Sequence, residues 1–119
     1  KFGVKVLNII KQCSDYENPS DEKNVWLEKK KKYLESMPKK SQSTMLVVLC
    51  DKLHSVNCIL NDHNRIGKKL WSNYFQSPEE VLWYYRSLCN NFKKSLKNHK
   101  TLKDKFQRNV NELQYRIKK

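Results

Sequence analysis

The stretch MLVVLCDKLHSVNCIL, residues 45–60, decides the fold. Met45, Val48, Leu49, Leu53, Val56, Ile59 and Leu60 recur in steps of three and four, the spacing of one face of an α-helix. No alternation of period two competes with that pattern, so a strand is excluded here. Just upstream, Ser41 or Ser43 offers a side-chain oxygen to the first free backbone N–H groups of the helix, and Gly67 breaks the pattern at its far end. A long central helix follows, with an apolar face that other elements must cover.

Those elements are helical as well. FGVKVLNIIKQC (residues 2–13) repeats apolar residues at helical spacing and runs into SDYENPSD (14–21), the clearest loop signal in the chain. NVWLEKKKKYLESM (24–37) puts Trp26, Tyr33, Leu34 and Met37 on one side, opposite the run Lys29–Lys32, which reads as a solvated face; Pro38 stops this helix. A short helix is expected around residues 68–74. SPEE, residues 77–80, is a capping box with proline at the first helical position, and it opens a helix that turns Val81, Leu82, Tyr85, Leu88, Cys89 and Phe92 inward. From Thr101 onward, Leu102, Phe106, Val110, Leu113 and Ile117 form a last apolar stripe. With 2 glycines and 3 prolines in 119 residues and no internal repeat, the fold class is all-α and compact. The expected division is a helical domain over residues 1–97 and a basic amphipathic helix over 98–119, whose stripe either docks back on the domain or pairs two copies of the chain.

The formal net charge is +13, which invites an anionic partner. Residues 93–119 carry ten Lys or Arg against Asp104 and Glu112, a net +8, so the excess gathers in the tail. Twenty-one of the 25 basic residues are lysines with few interleaved arginines or aromatics, which argues against nucleic acid as the partner. Met45–Cys50, the longest apolar run, is too short to cross a bilayer, and no signal-peptide pattern opens the chain. Cys13, Cys50, Cys58 and Cys89 show no C-x-x-C pair and read as buried free thiols, consistent with a cytoplasmic protein that makes no membrane contact.

On the central helix Asp51 and His54 share a face, and Cys50, His54 and Cys58 stack at spacing four. Either set offers metal-ligating atoms, but one aspartate does not hold a catalytic metal, which needs three or more protein ligands and an open position. Periodicity alone therefore stops short of an enzyme.

VVLCDKLHSVNCILNDHNRIG (47–67), followed by LWSNYF (70–75) and EEVLWYYRSL (79–88), resembles the later half of a stand-alone HD-superfamily domain related to the RelA/SpoT alarmone pyrophosphohydrolases. FGVKVLNIIKQCSD and the W-L-E-K-K-K-K-Y-L of residues 26–34 resemble the segment that precedes the DKLH helix in that family, so the match spans roughly residues 2–92. The resemblance implies a helical HD-type domain and a divalent metal, often Mn²⁺, held by a histidine, a His-Asp pair and a later aspartate, to which Asp51 corresponds. It implies a guanosine polyphosphate substrate, whose 3′-pyrophosphate is attacked by a metal-activated water. Lys52 and Ser55 become candidate phosphate and nucleotide contacts, and Tyr84 and Tyr85 candidate walls of a nucleotide pocket.

Two features depart from that family. His54, His63 and His99 are the only histidines, so the upstream His and His-Asp motifs are missing, and the chain opens at Lys1 in mid-motif, as expected of the C-terminal portion of a longer protein. After DKLH the family has Asn, a small residue and Arg, where this chain has Ser55, Val56 and Asn57. The expectation is a hydrolase portion that is inactive alone; the alternative is a degenerate HD scaffold that binds a nucleotide or a protein without chemistry.

Overall fold

A computed structural model describes residues 23–119 except residue 75. The helix expected over residues 2–13 and the loop after it lie outside the described residues. Within them the chain is all-α: α1 (Lys23–Ser36), a 3-10 turn (Met37–Lys39), α2 (Gln42–Ile66), a 3-10 segment (Gly67–Asn73), α3 (Pro78–Ser95) and α4 (Lys100–Lys118).

Local chemistry sets each boundary. Ser41, rather than Ser43, caps α2, its Oγ accepting from Thr44 N at 3.1 Å. Gly67 ends α2 at φ 65°, ψ −148°, a conformation that a side chain strongly disfavours. Ser77 and Glu80 close the capping box of α3 in both directions, at 3.2 and 3.1 Å.

Helix α2 is the axis of the core. Met45, Val48, Leu49 and Val56 are fully buried, with Leu53, Ile59 and Leu60 nearly so. With the following 3-10 segment it is long and apolar enough, by length and composition, to cross a membrane, yet half of its apolar 18-residue window is buried inside the protein. Its apolar side is covered by its own neighbours, the arrangement of a core helix. Helix α3 runs back antiparallel to it: Gln42 Nε2 donates to Ser95 O at 2.8 Å and Lys97 N donates to Gln42 Oε1 at 2.9 Å, tying the start of α2 to the end of α3.

Helix α4 belongs to the same core. Phe106, Val110 and Leu113 are fully buried against α2 and α3, and the Phe106 ring meets Phe92 edge-on at 5.3 Å and Tyr85 at 6.3 Å. Of the two uses open to this stripe, docking on the domain is the one observed. Polar side chains reinforce it: Arg116 Nη1 donates to Leu60 O at 2.9 Å, Arg86 Nε to Gln114 Oε1 at 2.9 Å, and Asn109 to Asn57. Asn57, one of the departures from the family pattern, is thus a tether between α2 and α4.

Three local expectations are corrected. Cys50 and Cys58 are exposed rather than in the core, because the apolar stripe of α2 takes the buried side and residues 50, 54 and 58 run along its edge; Cys89 is buried as expected. Lys30 is buried rather than solvated, since it stands one helical turn after Trp26 on the inward side of α1. Lys52 is buried as well, with its ammonium 3.5 Å from the Asp51 carboxylate. In α3, Tyr84 takes the buried position expected of Leu82, which is half-exposed.

Candidate functional site

Helices α1, α2 and α3 and the loop before α3 enclose a cavity of about 390 Å³, within the size range of small-molecule sites. Trp26 and Lys30 reach it from α1, and Tyr84 and Tyr85 from α3. One edge of α2 supplies Lys52, His54, Ser55, Cys58 and Asp62, while Gln76 closes the loop side. All four residues expected to contact substrate, Lys52, Ser55, Tyr84 and Tyr85, are therefore brought together in one wall.

Two cations dominate this site. Lys30 and Lys52 are only 3% and 5% exposed, and their ammonium groups lie 4.6 and 5.8 Å from the centre of the same Tyr84 ring. Lys30 also faces Trp26 at 5.8 Å, and Lys52 faces Tyr33 at 5.7 Å. Aromatic faces attract a desolvated cation by about 2 kcal/mol, and the lysine stems add apolar contact. The aromatic wall thus holds two positive charges at fixed points facing a cavity.

The neutral polar groups are also oriented. Ser55 Oγ donates to Asp51 O at 3.0 Å, which leaves its oxygen lone pairs available as acceptors. His54 Nε2 and Cys58 Sγ stand 3.6 Å apart, one helical turn from each other. Gln76, 9% exposed, presents its side chain on the loop side of the cavity. At the far end, Asp62 is held by Arg65 at 3.2 Å with its carboxylate half-exposed.

Asp51, the expected metal ligand, stands outside the cavity wall. Its side chain is 54% exposed and its carboxylate lies 3.5 Å from Lys52 Nζ. Among the described residues no three His, Cys, Asp or Glu side chains converge as a metal centre. These residues do not fit the divalent ion that the resemblance implies, and no chemistry is assigned through it. Nor do the comparisons extend the resemblance: no family model matches the chain, and no curated protein matches it.

Lys30 and Gln76 are the site residues that sequence reasoning missed. Lys30 had a signal: positions 26, 30, 34 and 37 continue one helical face, so a lysine in a basic run fell on the apolar stripe. Gln76 had none, being a single loop residue whose burial depends on the packing of three helices.

Proposed function

We propose that this chain is an HD-type helical scaffold that binds a phosphorylated nucleotide, of the guanosine polyphosphate class, in the cavity between α1, α2 and α3, and that these 119 residues bind it without turning it over. The observation that carries this reading is the pair of buried ammonium groups, Lys30 and Lys52, fixed over one tyrosine ring in the cavity wall. Such a site suits a compact polyanion, because ammonium groups already held in place can form charge-assisted hydrogen bonds to phosphate oxygens without first being ordered. The DKLH resemblance supports a nucleotide polyphosphate as that anion, and the exposed Asp51, which joins no cluster of metal donors among the described residues, favours binding over hydrolysis.

The hydrolytic reading stands second. In it Asp51 is the last ligand of a divalent ion such as Mn²⁺ whose other donors come from outside the described residues; the DKLH resemblance, in which Asp51 corresponds to that ligand, is what favours it. Equilibrium dialysis of the chain with a guanosine polyphosphate, with and without Mn²⁺, separates the two when samples are also assayed for released pyrophosphate. Binding that needs no Mn²⁺, with no release, is expected. Release that depends on Mn²⁺ and disappears in Asp51→Ala would replace the binding reading with the hydrolytic one.

A further inference from the structure

The cavity is chemically graded from end to end. Lys52, Ser55, Cys58 and Asp62 follow one edge of α2 at intervals of three or four residues, so that the wall stretches about 15 Å from Lys52 to Asp62 at the helical rise. Lys30 and Lys52 meet at Tyr84, so both cations sit at one end. Because α3 runs antiparallel to α2, the loop before α3 lies toward the C-terminal end of α2, and Gln76 therefore belongs with Asp62 at the other end.

That second end has its own chemistry. Gln76 is about nine-tenths buried and lines the cavity. An ionised Asp62 only accepts hydrogen bonds, and Gln76 both accepts and donates. The Asp62 carboxylate repels phosphate, whereas sugar hydroxyls and the N–H groups of a base are donors that both residues can accept.

Building on the nucleotide-binding reading, we propose that Asp62 and Gln76 are specificity-determining residues that read the nucleoside portion of the ligand while Lys30 and Lys52 hold its phosphates. The ligand then lies along α2 with its phosphates toward Lys52 and its nucleoside toward Asp62. The site prefers a nucleoside polyphosphate over an inorganic one because only the former reaches both ends.

Calorimetric titration with two probes, guanosine diphosphate and inorganic pyrophosphate, tests this on the full chain. Asp62→Asn and Gln76→Met are each expected to weaken guanosine diphosphate about tenfold, the loss of one or two hydrogen bonds, and to leave pyrophosphate within about twofold. Lys30→Gln is expected to weaken both probes. Asp62→Asn alters a half-exposed side chain and keeps its size, so it decides the matter even if Gln76→Met does not fold. Equal weakening of both probes by Asp62→Asn, or of neither, would overturn the two-ended site while leaving polyanion binding intact. Failure of the wild-type chain to bind either probe would instead overturn the underlying reading and this inference with it.

Discussion

Replacing Phe106 by alanine removes a phenyl ring from the point where α4 meets the rest of the core. Phe106 is fully buried, and its ring contacts both Phe92 and Tyr85. Helices α2 and α3 both pack against α4 and hold the backbone apart, so the space left by the ring will not close completely. Burial of this kind sets the loss at about 3–5 kcal/mol, including the aromatic pairing. A domain of this size has a total stability of about 5–15 kcal/mol, so the variant should sit near the edge of folding. Urea denaturation followed by circular dichroism measures the change, with Leu102→Ala, a half-exposed site on the same stripe, as a milder comparison. A midpoint falling in proportion, with an unchanged slope, is the expected result. A loss below about 1 kcal/mol for Phe106→Ala would mean that α4 is an appendage rather than part of the core, and the reasoning would fail.

Four further outcomes follow from the same structure. Gly67→Ala should cost about 1–3 kcal/mol although nothing lies within 4 Å of the added methyl, because the penalty is conformational; thermal melting checks it. Ser77→Ala, which removes one half of the capping box, should cost about 1 kcal/mol without changing helix content at low temperature. Burial pushes the Cys89 thiol above its ordinary range, against the opposing charges of Lys93 and Arg86. The native state therefore keeps this proton longer than the unfolded chain does, so its stabilising contribution is intact below the ordinary thiol range and is lost as pH rises through it. Stability should decline at alkaline pH more steeply in the wild type than in Cys89→Val. A timed thiol label read by peptide mass should likewise mark Cys50 and Cys58 before Cys89.

The helical framework was readable in the sequence because its determinants are local. The stripe from Met45 to Leu60, the serine cap at position 41, the break at Gly67 and the capping box at Ser77 each act within one or two helical turns. What stayed hidden depends on how helices meet. Cysteine's usual burial pointed Cys50 and Cys58 inward, but the wider apolar stripe of α2 filled the available contact and left them at its edge. Lys30 was concealed in the opposite way: its neighbours in the basic run are solvated, and only the helical phase set by Trp26 and Leu34 assigns it to the buried side. The four substrate-contact candidates converge on one cavity, whereas Asp51, one position from Lys52, turns outward. A shift of one residue rotates a helical side chain by about 100°, enough to separate the two.

The central claim is that Lys30 and Lys52 make the cavity a polyphosphate site. Calorimetric titration of a guanosine polyphosphate into the wild type and into the double variant Lys30→Gln/Lys52→Gln, without metal, tests it most directly. The account predicts saturable binding to the wild type and at least about a hundredfold weaker binding to the double variant, the scale of two lost charge-assisted contacts, with circular dichroism verifying that the variant is folded. Undiminished binding by the folded double variant would contradict it.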